Sequence, residues 1–125
     1  MKSEERKVNQ LEQQTLDFAA EILILVKSLQ NDNERIISGQ IGRSATSIGA
    51  NVREAAFASS KADFVSKMHI ALKESNETKY WLDLLLKTDY LAKTKYDTLI
   101  GMNNSIHFML ISSINTAKNS LNEKQ

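Results

Sequence analysis

The sequence predicts an all-α protein, an antiparallel, up-down-up-down, left-handed four-helix bundle. Three observations carry that reading. The 125 residues include no proline to interrupt a helix. Apolar or small residues recur in alternating steps of three and four, the spacing of one helix face. Short polar breaks divide this rhythm into four stretches, and short connections make successive helices antiparallel neighbours with knobs-into-holes packing.

The first helix is expected over residues 7–30, with Leu11, Thr15, Phe18, Ile22, Leu25 and Leu29 facing inward. Asn31, Asp32 and Asn33 then supply turn and cap chemistry. The second helix, 34–58, buries Ile37, Ile41, Ser44 or Ala45, Ile48, Val52 and Ala55. Ser60 and Asp63 resemble a capping box for the third helix, 61–87, whose inner line runs Phe64, Met68, Ala71, Ser75, Thr78, Leu82 and Leu85. Residues 88–91 break the pattern, and Thr94 with Asp97 repeats the cap signal. The fourth helix, 94–119, directs Leu99, Asn103, Ile106, Leu110, Ser113 and Ala117 to the core. Together 1–125 make a single domain, long enough to bury a core without disulfides or metal.

Composition narrows the function classes. There is no cysteine, hence no disulfide framework, thiolate zinc site or cysteine nucleophile. The N-terminal segment is charged and has no apolar signal region, and the longest apolar run, Ile22 to Val26, is far short of the roughly 20 residues that span a bilayer. A cytoplasmic protein with no membrane partner is expected. Sixteen Lys and Arg against fifteen Asp and Glu give a net charge of +1, so a monomer has no strong general attraction for phosphate.

A second set of stripes lies off the core line. On the third helix Ile70, Glu77 and Leu84 are seven apart, with Glu74 and Trp81 beside them, about 100–160° from the seam. On the second helix Gln40, Ser47 and Glu54 do the same, with Ile36, Arg43 and Ala50 interleaved, and the fourth helix adds Phe108 nearly opposite its core line. Scattered exposed hydrophobics are ordinary on a protein surface. Gly39, Gly42 and Gly49 argue further, since each costs about 1 kcal/mol relative to alanine inside a helix and such a cost usually has a packing reason. The expectation is a homo-oligomer in which the outer stripe of helix two meets that of helix three from a neighbouring copy, Arg43 pairing Glu74 or Glu77 across the interface.

Chemistry is sparse. Three residues before His69 stands Ser66 and three before His107 stands Asn104, so the Glu-x-x-His pairs of a di-iron bundle are missing. His69 is expected on the helix surface and His107 at the core margin. No metal, cofactor or catalytic residue is indicated. Glu74 and Glu77 could act as paired carboxylates, but ion pairing is the simpler role, and no serine sits in a nucleophile elbow. No enzyme is expected. A nucleic-acid contact would rest on Arg53, Lys61 and Lys67 near the turn between helices two and three, with Lys2, Arg6, Lys7 and Lys118 at the same pole. Glu4, Glu5, Glu54 and Asp63 dilute this patch, and only repetition around a ring would multiply its phosphate contacts.

Two segments carry a family resemblance. In GQIGRSATSIGANVREA, from Gly39 to Ala55, the residues Gln40, Arg43, Ser47, Ile48, Asn51 and Glu54 match the helix-two signature of the 23S rRNA-intervening sequence proteins, bacterial four-helix bundles. In IALKESNETKYWLDLL, from Ile70 to Leu85, the residues Ala71, Glu74, Asn76, Glu77, Thr78, Tyr80, Trp81 and Leu82 fit the helix-three signature of one branch. Ala55 departs from the glycine usual after the glutamate. With helix count and length, the resemblance covers about four fifths of the chain. It implies a homo-oligomer, a pentameric ring in characterised members, without established enzymatic activity. A similar bundle is the accessory protein of diversity-generating retroelements, associated with a reverse transcriptase and nucleic acid. The implied function is an interaction scaffold that binds RNA or another nucleic acid; the alternative is a protein-only adaptor whose ring recruits a partner protein. The resemblance assigns the outer stripes, Gln40, Arg43, Ser47, Glu54, Ile70, Glu74, Glu77, Trp81 and Leu84, to assembly.

Overall fold

The computed structural model describes residues 3–123. Four helices, α1 (Ser3–Asn31), α2 (Ile36–Ala56), α3 (Lys61–Lys87) and α4 (Lys93–Glu123), account for nearly all of them, and no strand occurs among the described residues. Each helix packs on two others in the cyclic order α1, α2, α3, α4, and among the described residues the diagonal helices do not approach closely by backbone. Arg53 lies by Glu12, Thr15 against Gly49 and Val26 against Gly42, so residue numbers climb along α1 as they fall along α2. Between α3 and α4, Asp83 meets Tyr96 and Ser75 meets Asn103 in the same reversed order.

The inner faces are those the spacing requires. The buried residues of α1 are Leu11, Thr15, Phe18, Ile22, Leu25 and Leu29, and those of α3 are Met68, Ala71, Ser75, Thr78, Leu82 and Leu85. Phe64 is half-buried at the margin. Ser38, Ile114 and the loop residue Leu91 join the core beyond the expected set. Each large apolar side chain so buried contributes about 1.5–3 kcal/mol, and together they hold the four helices against chain entropy.

Two polar pairs interrupt the apolar centre. Ser44 Oγ and Thr78 Oγ1 are 2.8 Å apart between α2 and α3. Between α3 and α4, Ser75 Oγ donates to Asn103 Oδ1 at 2.9 Å while Asn103 Nδ2 donates to the Ser75 carbonyl at 3.1 Å. These groups are thereby satisfied within the core, as buried polar atoms must be.

Turns and caps depart more from expectation. Asn33 and Asp89 adopt left-handed backbone, φ 62° and 63°, at the ends of α1 and α3. Glu34 N–H donates to the Leu29 carbonyl and Asn33 N–H to that of Gln30; Tyr90 N–H bonds to Leu85 and Asp89 N–H to Leu86 in the same pattern. Both are Schellman endings with Asn or Asp where glycine is usual. The cap of α2 comes from Glu34, 6% exposed, and not from Asn31, Asp32 or Asn33. Glu34 Oε1 accepts from the N–H groups of Ile36 and Ile37 at 3.0 and 2.9 Å, and Oε2 from that of Ser38 at 2.7 Å. Ser60 caps α3 as expected, accepting from Asp63 N–H at 3.0 Å, while Asp63 reaches back to Ser59 N–H at 3.3 Å. Thr94 caps nothing: α4 starts at Lys93, and Asp97 takes the Lys93 ammonium instead. The helices also reach beyond the expected bounds at Ser3 and Glu123, whereas α2 stops at Ala56.

Candidate interaction surface

On the outer flank of the α2–α3 seam, Arg43 of α2 reaches two carboxylates one turn apart on α3. Its Nη1 lies 3.2 Å from Glu74 Oε2, and its Nη2 donates to Glu77 Oε2. The indole Nε1 of Trp81 donates to that same Glu77 oxygen at 3.1 Å. The Glu77 hydrogen bond first, and the Glu74 charge next, hold the Arg43 guanidinium above its ordinary pKa. Arg43 stays half-exposed, so the bridge is screened by solvent. Its main effect is geometric, because one planar group fixes Glu74, Glu77 and the Trp81 ring in a single arrangement. Trp81 in turn meets the Tyr80 ring edge-on at 4.9 Å.

The ion pair expected between copies is made here within one chain. Arg43 binds Glu74 and Glu77 of its own chain, because α2 and α3 adjoin here; the Ser44–Thr78 pair lies directly beneath. Of the other stripe residues, Gln40 and Glu54 are exposed, Ser47 is half-buried with its carbonyl accepting from Asn51, and Ile70 is 39% exposed. Trp81 and Leu84 are half-buried against the core. Ile36 at the upper end of the stripe is 80% exposed.

The glycines divide. A Cβ on Gly49 would stand 3.1 Å from Thr15 Oγ1 and 3.3 Å from Thr15 Cβ, so α1 is what approaches there. At Gly42 the nearest atom, on Val26, is at an ordinary 3.4 Å, and around Gly39 there is open space. The packing reason at Gly49 therefore lies within the chain.

At the opposite pole the basic residues are dispersed. Arg53 Nε is 3.9 Å from Glu12, Lys61 Nζ donates to Ser120 Oγ across to α4, and Lys67 is half-buried. Lys2 lies outside the described residues. A cleft of about 710 Å³ opens here among the start of α1, the end of α2, the start of α3 and the end of α4, and Glu4, Glu5, Lys7 and Lys61 line it. His69 and His107 are both half-buried, and no cluster of three or more potential metal ligands occurs among the described residues.

The profile of the 23S rRNA-intervening sequence proteins matches residues 7–113, a span that contains the whole Arg43 network and both outer stripes. The chain belongs to that family. A protein of unknown function from the S23 ribosomal protein family of Bacteroides thetaiotaomicron VPI-5482, with a crystal structure at 1.70 Å resolution, is 47% identical to it. That likeness covers 87% of this chain and 98% of the other, with a TM-score of 0.86. No curated protein matches the chain.

In this 23S rRNA-intervening sequence protein, two surface features escaped the residue patterns. One is Phe57, 84% exposed at the turn after α2. The other is the outer side of α1, where Leu16, Leu23 and Ile24 are 55%, 50% and 63% exposed. The signal was present in the seven-residue interval from Leu16 to Leu23, but the stronger inner stripe of α1 accounted for the helix without it.

Proposed function

We propose that this protein is a non-catalytic, cytoplasmic scaffold whose left-handed, up-down-up-down bundle assembles into a homo-oligomeric ring, pentameric as the family resemblance implies, and that the ring binds RNA. The observation that carries the reading is the rigid Arg43–Glu74–Glu77–Trp81 surface with Ile70 and Ile36 beside it. Trp, Tyr and Arg are the residues enriched where protein interfaces hold most tightly, and a network that fixes them in advance lowers the ordering cost of association. Both carboxylates are engaged by one guanidinium, which supports an ion-pairing role for them over a catalytic one.

RNA is the partner class that the family resemblance implies, and repetition around a ring supports it. Arg53, Lys61 and Lys67 form a diluted patch on one copy, but a ring presents several copies on one side. The near-neutral charge and the acidic Glu4 and Glu5 lining the cleft favour a second reading, an adaptor that binds a partner protein only. Light scattering coupled to size separation, with and without a short structured RNA at about 50 mM and at higher salt, distinguishes them. A multimer that gains RNA mass only at low salt supports the scaffold. A multimer that never gains RNA supports the adaptor, and a monomer removes the ring.

A further inference from the structure

The α2–α3 surface leaves a charge uncompensated. Among the described residues Arg43 is the one cation bonded to the two carboxylates, Glu74 and Glu77, with exposed Lys73 one turn before Glu77 and unbonded to it, on a face that also holds Ile70, Trp81 and Leu84. A surface that covers it should be apolar and carry a positive charge near Glu77. The outer side of α1 has that composition: Leu16, Leu23 and Ile24 are exposed, and Lys27 follows Leu23 by one turn. Lys27 has no ion-pair partner among the described residues, whereas the nearby acids of α1 are occupied, Glu21 by Lys95 at 3.3 Å and Asp17 by Gln13 at 2.9 Å. A shallow depression beside Leu23, Ile24 and Lys27 gives the side chains of a partner somewhere to enter.

Height along the bundle supplies a second, geometric match. Val26 lies against Gly42, and the next residue of α2, Arg43, reaches Glu74 and Glu77, so Leu23 to Lys27 stand level with the ion-pair network. Thr15 lies against Gly49, which brings Leu16 to within about a turn of the level of Ile70. Rotation about an axis parallel to the bundle keeps every residue at its own height, as a ring of copies about such an axis requires. About a two-fold axis parallel to the bundle, two α1 faces would instead bring Lys27 toward Lys27, and two α2–α3 faces would bring their surplus carboxylates together, so that like-with-like contact is disfavoured.

We infer that the outer face of α1, Leu16, Leu23, Ile24 and Lys27, is the complementary half of the assembly interface and docks on the α2–α3 surface of a second copy, with Lys27 opposite Glu77. The inference rests on the self-assembly proposed above, and its test separates the two. The chain has no cysteine, so Leu16→Cys and Ile70→Cys copies are made separately, mixed and oxidised, while the mass of the unmodified protein is measured beside them. Disulfides between unlike copies, well in excess of those between like copies, are expected, together with loss of the multimer in Lys27→Glu at concentrations where the unmodified protein is assembled. A multimer that forms no unlike disulfide, or forms like ones equally, or survives Lys27→Glu, overturns this interface and leaves self-assembly standing. A monomeric unmodified protein overturns both.

Discussion

Glu34 offers the sharpest test of how the bundle is held at its turns. Its carboxylate accepts three consecutive backbone N–H groups at the start of α2 while 6% exposed. In Glu34→Ala the N–H of Ile36, an exposed residue, can turn to water, but those of Ile37 and Ser38 lie at buried positions and lose their only acceptor. Two such donors at about 1–3 kcal/mol each, reduced by partial water entry, give an expected loss of about 2–4 kcal/mol, at or above the upper end for a cap. Glu34→Gln keeps the shape and the Oε1 acceptor, yet it sets an amide NH₂ against the Ser38 N–H and removes the charge that favours a helix N-terminus, for about 1–2 kcal/mol. Urea unfolding followed by far-ultraviolet circular dichroism, at one protein concentration so that association does not shift the midpoint, gives the order. Glu34→Ala within about 0.5 kcal/mol of the unmodified protein would show that water reaches these donors and would refute the capping argument.

Five other variants have expected outcomes. Gly49→Ala should destabilise by about 1–3 kcal/mol, because Thr15 is held by its own hydrogen bonds to the Leu11 and Glu12 carbonyls and cannot give way, whereas Gly39→Ala, in open space, should gain up to about 1 kcal/mol by the same unfolding assay. Asp89→Gly should stabilise by up to about 1 kcal/mol, since it relieves a left-handed non-glycine residue, and an unfolding midpoint that falls instead would assign the Asp89 side chain a role of its own. Tyr96 donates to Asp83 at 2.6 Å and is pushed up to about 12, chiefly by that hydrogen bond. Because its folded pKa lies above the unfolded value, the stability it contributes is full below about pH 10 and is lost between about pH 10 and 12; the Tyr96→Phe variant should lack this loss, and an absorbance titration should show one phenol of the three ionising late. Arg43→Ala should shift the emission of the single tryptophan by freeing Glu77, with a stability change that shrinks as salt is raised; an unchanged spectrum would mean that Arg43 does not hold the Trp81 arrangement.

What could be read from the residues followed what periodicity encodes. The inner lines of α1 and α3 were legible down to Thr15 and Ser75, because spacing along a helix fixes the direction in which a side chain points. It does not fix what stands beside it. Arg43, Glu74 and Glu77 are recognisable as ion-pairing residues, but spacing within each helix says nothing of the distance between α2 and α3, and so the stripes point to pairing between copies where the chain pairs them within itself. Trp81 lies off the core line by angle, yet it is half-buried because α2 covers the flank of α3 at that level. Glu34 went unseen as a cap because cap signals favour short polar side chains, and Asn31 to Asn33 offered three of them; the longer glutamate reaches the same donors by folding back from the turn. The outer face of α1 is marked only by the interval from Leu16 to Leu23, which the complete inner stripe of that helix outweighs.

The two polar pairs in the core, Ser44 with Thr78 and Ser75 with Asn103, settle a question that the apolar stripes leave open. A stripe that repeats every turn looks nearly the same after a helix slides along its neighbour by one turn, about 5.4 Å, so apolar burial alone allows several alignments of similar energy. A hydroxyl that must meet one hydroxyl, and an amide that must meet one serine at both its carbonyl and its Oγ, tolerate a single alignment. Polar residues in coiled coils choose register in this way. Here α3 carries both pairs, one toward each neighbour, and serves as the ruler against which α2 and α4 are set.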